Sequence, residues 1–175
     1  HLQALAAEDR VRRWTFESGP PKDIELLQGS WTWRAPGPGL PGALVTAREK
    51  WVWAALPLGA PAERILVSVK ARLVPGTPPP FRTEKGSPRW MGCHTQWWEG
   101  NQLLPCKSTL KPSHLALLAG QPILQRWYLL GPYAIGEVNG QLQTVNRSPA
   151  TPGPGRPVLR FCNLAIEEIE ARALD

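Results

Sequence analysis

Proline and glycine decide what this chain can become. Its 175 residues include 20 Pro and 16 Gly. That is 36 positions or about 21%, against roughly 12% in ordinary proteins. Proline in a helix interior costs about 3 kcal/mol, which excludes a bundle of long helices. Disorder is excluded too, because 42% of residues are hydrophobic and nine are Trp, enough to bury a core. Short strands joined by Pro/Gly turns, in one domain, are the natural solution.

The apolar pattern supports this. Leu2, Leu5 and Ala6 fit helical spacing, so residues 1–13 read as a short helical lead or tether and residues 14–175 as the sandwich. From Trp14 the period changes to two. Trp14 to Glu17, Ile24 to Leu27, Trp31 to Arg34, Ala43 to Thr46 and Lys50 to Ala55 read as short strands. Trp51 and Trp53 share a face. Arg64 to Val74 is the strongest strand, with Ile65, Val67, Val69, Ala71 and Leu73 on one side. Pro75 to Pro88 reads as a long loop, and Trp90 to Glu99 and Gln102 to Leu110 as strands across a Gly100-Asn101 turn. Gln125 to Leu130, Tyr133 to Val138 and Gln141 to Val145 follow. Asn139-Gly140 signals a type I′ turn, because both residues tolerate positive φ. Val158 to Ala171 reads as one long closing strand. The total of roughly eleven to thirteen strands predicts an all-β antiparallel sandwich.

The formal charge is +6. Apart from Arg10 to Arg13 the cations are scattered, with no basic stripe interleaved with stacking aromatics, so nucleic acid is not read as a partner. The acidic run Glu167, Glu168 and Glu170 reads as a solvated face, able to pair with Arg10 to Arg13 if the first and last strands are neighbours. Three cysteines leave one thiol over. In an oxidising compartment Cys93 and Cys106 could close a loop and contribute roughly 3 kcal/mol. In a reducing compartment all three stay thiols. Cys162, in the run Val158 to Cys162, reads as a small buried hydrophobe. No apolar stretch approaches the roughly 18 residues that span a bilayer. The chain begins at His1, so it reads as either a processed mature protein or a piece of a longer one, which a leader or a membrane anchor could precede.

Five segments in order resemble the concanavalin A-like lectin/glucanase jelly rolls, the laminin-G and lectin group with a subgroup related to 3-keto-disaccharide hydrolases. They are Trp14 to Gly19, then Ile24 to Trp33 with its Gly29-Ser30-Trp31, Arg64 to Val74, Tyr133 to Leu142 with its Glu137-Val138-Asn139-Gly140-Gln141-Leu142, and Phe161 to Ile166. The resemblance covers about 160 residues and implies an antiparallel jelly roll. It also implies a concave face where flat aromatics stack on sugar rings and polar side chains take the hydroxyls. The E-x-D-x-E strand of the retaining glucanases is absent. Asp occurs only as Asp9, Asp23 and Asp175, so the clustered Asp and Asn of legume-lectin metal sites are missing as well.

The densest polar-aromatic cluster is Arg89 to Glu99. As a strand it puts Trp90, His94, Gln96 and Trp98 on one face, and Cys93, Thr95, Trp97 and Glu99 on the other. Arg89, Trp90, His94, Gln96, Trp97, Trp98 and Glu99 are therefore the candidate ligand-binding residues. Against this stands a plain core role for the tryptophans, which supply buried area in a chain poor in Phe and Tyr. Cys93, His94, Cys106, His114 and Cys162 fit no zinc spacing, and no metal or cofactor is assigned. An acid/base pair would have to come from Glu84, Glu99 and Glu137, and no catalytic residue is assigned. The expected function is a non-catalytic extracytoplasmic binding or sensing module for a glycan or cell-envelope polymer. The alternatives are an enzyme acting on glycosides and a protein-interaction domain.

Overall fold

Buried and more exposed residues alternate with a two-residue period along 64–71, 123–130 and 133–138, and each of these segments is a strand. The computed structural model describes residues 10–46, 51–74, 81–82, 88–89, 94–99, 102–109, 120–147 and 154–174. The early strands are β1 (Val11–Thr15), β2 (Glu25–Gln28), β3 (Trp31–Arg34), β4 (Ala43–Thr46), β5 (Val52–Ala55) and β6 (Arg64–Leu73). The middle ones are β7 (Phe81–Arg82), β8 (Pro88–Arg89), β9 (His94–Glu99) and β10 (Gln102–Thr109). The last are β11 (Ile123–Leu130), β12 (Tyr133–Val138), β13 (Gln141–Arg147), β14 (Arg156–Phe161) and β15 (Leu164–Ala173).

The strands form two antiparallel sheets. The eight-stranded sheet has the order β13-β12-β11-β6-β15-β4-β3, with β1 also on β15. The five-stranded sheet has the order β10-β9-β14-β5-β2. β10 comes against β12 and β13. β7 and β8 form a separate two-stranded ribbon. The all-β antiparallel sandwich expected from the sequence is the fold.

The inner faces meet in one apolar core. β6 contributes Ile65, Val67, Val69 and Ala71, β11 Ile123, Trp127 and Leu129, and β15 Leu164, Ile166, Ile169 and Ala171. Across from them stand Val52, Ala54, Leu56, Leu159 and Phe161. Burying each larger aliphatic or Phe contributes about 1.5–3 kcal/mol. Trp31 stacks against Phe161 with ring centroids 6.3 Å apart. Trp14 donates its indole N–H to Asp23 Oδ1 at 2.9 Å, so a tryptophan at the rim is buried without an orphaned donor.

Several expectations are corrected. Among the described residues there is no helix; residues 1–9 of the expected helical lead lie outside them, and from Val11 the chain is already strand. The reason is pairing: β1 lies along β15, Arg13 opposite Glu170. The Pro75 to Pro88 loop holds β7 and ends in β8. The Val158 to Ala171 segment is not one strand. It breaks at Cys162-Asn163, where Asn163 adopts φ 57°, and crosses from the five-stranded to the eight-stranded sheet. Asparagine is one of the few side chains that tolerate this left-handed conformation. Cys162 is buried at that corner, as expected. The Asn139-Gly140 turn is also as expected, with φ values of 48° and 78°.

β15 changes neighbours along its length. Ala165 and Ile166 pair with β4, and Glu168 to Arg172 pair with β1. The ladder to β6 shifts between Ile166 and Glu168, making Glu167 the extra residue of a β-bulge. The acidic run is therefore not a uniformly solvated face. Glu167 is buried and ion-paired with Arg72, which also donates to the Gly120 carbonyl at 2.9 Å. Glu168 and Glu170 do meet the basic N-terminal segment, at 3.5 and 2.8 Å from Arg13.

Polar residues also reach the inner face, Thr46 on β4 and Gln125 on β11. Gln125 is 0% exposed on β11, and neither its amide oxygen nor its amide nitrogen has a hydrogen-bond partner among the described residues. An unsatisfied buried polar group costs about 1–3 kcal/mol. Gln125→Met keeps the length and removes both orphaned atoms. We expect it to raise the unfolding free energy by about 1–3 kcal/mol in urea titrations, with the slope unchanged.

Candidate functional site

The outer face of the five-stranded sheet follows from the parity of its strands. On β14, Leu159 and Phe161 point into the core, so Val158 and Arg160 point outward. On β5, Val52 and Ala54 point inward, so Trp53 and Ala55 point outward. Trp53 is registered directly opposite Arg160, and Ala55 opposite Val158. Ala55 and Val158 are fully buried and make the floor. Trp51, Trp53 and Arg160 remain partly exposed.

These side chains are organised by one cation. The Arg160 guanidinium lies 4.3 Å from the Trp51 ring centroid and 5.0 Å from that of Trp53. Each contact of this kind is worth about 0.5–2 kcal/mol, depending on desolvation. Gly29 sets the position of Trp51. It adopts φ +81°, and a Cβ there would press on the Trp51 carbonyl oxygen, so the chain approaches the start of β5 backbone to backbone. Beyond the floor, Arg156 donates to Glu25 Oε2 at 2.6 Å, tying β14 to the edge strand β2.

The sequence-derived site meets this face along β9, which lies between β10 and β14. His94, Gln96 and Trp98 are registered opposite Arg160, Val158 and Arg156. Trp97 is registered opposite Pro157, in the alternate set of rows with Thr95 and Leu159. Glu99 ends β9 opposite Gln102. Arg89 is elsewhere, opposite Phe81 in the two-stranded ribbon. Trp90 and Cys93 lie outside the described residues, and with Cys93 the proposed Cys93–Cys106 bond; Cys106 itself belongs to β10.

Sequence reasoning missed Trp51, Trp53 and Arg160. It gave the binding role to Trp90, Trp97 and Trp98 and set against it a role as interior volume, which holds for Trp127 and Trp14. Trp33 is 38% exposed and caps the Phe16 carbonyl at 2.7 Å. The usable signals were a Trp pair two residues apart flanking inward Val52 and Ala54, and a lone Arg in an otherwise apolar strand.

Of the acid/base candidates, Glu84 lies outside the described residues. Glu137 is on the other sheet, where it accepts from Tyr128 at 3.2 Å and faces Arg126 at 3.5 Å. Burial, and then the Glu137 carboxylate, push the Tyr128 phenol above its ordinary range near 10.

No family model matches the chain, and no curated protein matches it. Solved structures match at the level of fold. The metal-free exoplasmic/lumenal domain of VIP36 aligns with TM-score 0.54 and 7% identity, over 95% of this chain and 92% of that one. Its Ca2+/Man2-bound form gives TM-score 0.54 and 7% identity, over 95% and 88%. Apo Crh5 transglycosylase gives TM-score 0.51 and 8% identity, over 95% and 85%. Against a sialidase, at TM-score 0.48 and 10% identity over 95% of this chain, the chain spans 17% of that protein's length. These likenesses are of fold: the antiparallel β-sandwich described above is shared with VIP36 and Crh5 transglycosylase.

Two outcomes test this geometry. In Gly29→Ala the new Cβ displaces the Trp51 backbone. Urea unfolding should show a loss of more than about 1 kcal/mol, and the Trp fluorescence maximum should move. For Tyr128, folding raises the phenol pKa, so the linked stability is intact below the ordinary tyrosine range and is lost as pH rises through the folded value. Tyrosinate absorbance should show an upward-displaced phase that disappears in Tyr128→Phe and moves back toward the ordinary range in Glu137→Gln.

Proposed function

We propose that this jelly roll is a non-catalytic carbohydrate-binding or sensing module working outside the cytoplasm. Its ligand would lie on the outer face of the five-stranded sheet. The observation that carries this reading is the Trp51–Arg160–Trp53 stack. Flat indoles offer apolar area to the C–H faces of a sugar ring, and the cation beside them holds them in place. His94, Gln96 and Trp98 extend the same rows and complete the proposed site. Two features support a non-catalytic role. The chain lacks the E-x-D-x-E strand, and Glu25, the carboxylate among the described side chains of this face, is already ion-paired with Arg156. Location outside the cytoplasm is supported by the exoplasmic/lumenal domain of VIP36, which shares the fold.

An enzyme acting on glycosides is the second reading, favoured by the fold shared with Crh5 transglycosylase. It requires Glu99 as an acid or base.

A glycan array followed by calorimetry tests the proposal. The parent chain should bind at least one glycan class, and Trp53→Ala and Trp98→Ala should each weaken binding by roughly 10-fold or more while leaving the thermal midpoint within a few degrees. A parent chain that binds no glycan sinks the idea. Shortened or transferred products in the incubation, lost in Glu99→Gln, would move the reading to the enzyme.

A further inference from the structure

We infer that β13 pairs with the β13 of a second copy of this chain, two-fold and antiparallel, so that the eight-stranded sheet continues across two molecules. The first argument is the state of the sheet ends. A sheet edge invites another strand unless something blunts it. β2 and β3 are four residues long, and β1 has five residues with Arg12 and Arg13 among them. β10 is longer but carries Pro105, which has no amide to donate, and Lys107. Among the described residues β13 ends the larger sheet, with the seven residues Gln141–Arg147. Its sequence holds no proline, no lysine and no carboxylate.

The second argument is what the strand exposes. Leu142 is 65% and Val145 56% exposed, the highest values of any large hydrophobic residue described. Both lie on the outer face, since Leu142 is registered opposite Glu137 and Val145 opposite Ile135. On the inward side Gln141 and Asn146, opposite the buried Val138 and Ala134, are exposed as well. The strand therefore meets solvent on both faces, and a partner is what would cover its apolar side chains.

The third argument selects the partner. A two-fold contact is self-complementary: one residue meets a second across the axis, and the second meets the first. In the register that sets Leu142 against Val145 of the partner subunit, the exposed pair is covered twice, once on each side of the axis. The outer-face row Leu66, Tyr128, Ile135, Val145 then runs on into Leu142 of the partner subunit. Gln143, the extra residue of the β12–β13 bulge, falls beside the axis. Residues 140–142 of each copy then lie along residues 145–147 of the other. Arg147, the one charged residue of the strand, comes opposite Gly140 of the partner subunit, so no like charges meet. The contact is small, so the association is weak, with a Kd on the order of 10–100 µM. A pair presents two of the proposed glycan faces to one polymer, but the pairing does not depend on that reading.

The test is sedimentation velocity on the full chain from about 5 to about 500 µM. We expect the mass to rise from one chain toward two and no further, because a two-fold contact closes. Leu142→Lys and Val145→Lys place a charge on the exposed edge. Each should stay monomeric throughout the range, with the circular dichroism melt within a few degrees of the parent. The register is read by oxidative cross-linking. In the Leu142→Cys/Val145→Cys double variant each new thiol faces its counterpart in the other copy, so a disulfide-linked dimer should form beyond what the parent's own cysteines give. Neither single variant should exceed the parent. A parent that remains monomeric to the highest concentration overturns the proposal. So does a dimer that persists in both lysine variants, an assembly that grows past two chains, or equal cross-linking of the single and double variants.

Discussion

Two residues, Cys162 and Asn163, connect the middles of both sheets. β14 is the central strand of the five-stranded sheet, and β15 runs between β6 and β4 in the larger one. The corner between them must reverse the chain across the core in two positions, and Asn163 does so at φ 57°. Its surroundings lock it. The Asn163 carbonyl accepts from the Val74 amide at 3.0 Å. The Thr46 hydroxyl both accepts from the Leu164 amide at 3.2 Å and donates to the Leu164 carbonyl at 3.3 Å. The ladders of β5, β9, β4 and β6 are all placed relative to this crossing. Relaxing it would cost an asparagine cap, a buried hydroxyl and the alignment of two sheets together.

The same crossing divides the chemistry of the surface. On the β15 side, charges answer one another. Glu167 is drawn inward to Arg72 at the bulge where β4 gives way to β1, and Glu170 is held by Arg13 and Arg172. That face is a neutralised lattice in which most pairs are exposed and weak. On the β14 side, the outward residues are an arginine in contact with the rings of two tryptophans, beside a buried alanine and valine. The contrast between the two outer faces directs attention to the smaller sheet.

How far the sequence could be read depended on the kind of signal. β6 was legible because ten residues alternate without interruption. The β12–β13 hairpin was legible because Asn139-Gly140 declares its turn. The break at Asn163 was not, because a single asparagine in an apolar run carries neither proline nor glycine punctuation. β1 was hidden behind charged residues whose partners, Glu168 and Glu170, lie more than 150 positions away. For the site, period two separated His94, Gln96 and Trp98 from Trp97 in agreement with the ladder, but it could not tell which strand lies alongside. Arg160 and Trp53, 107 positions apart, become neighbours only through sheet topology.

The central position of β14 and β15 has a consequence for synthesis. A chain emerging from the ribosome N-terminus first can pair β3 with β4, and β11 with β12 and β13, as soon as they appear. The strands between which β14 and β15 insert must wait, their inner edges open, until residues 156–174 are released. During that interval β5, β6 and β9 present unpaired backbone, a template for intermolecular pairing. The proline content of the chain thus has a second use. Proline has no amide donor and is a poor partner for an exposed edge, and prolines stand in the sequence between the waiting strands.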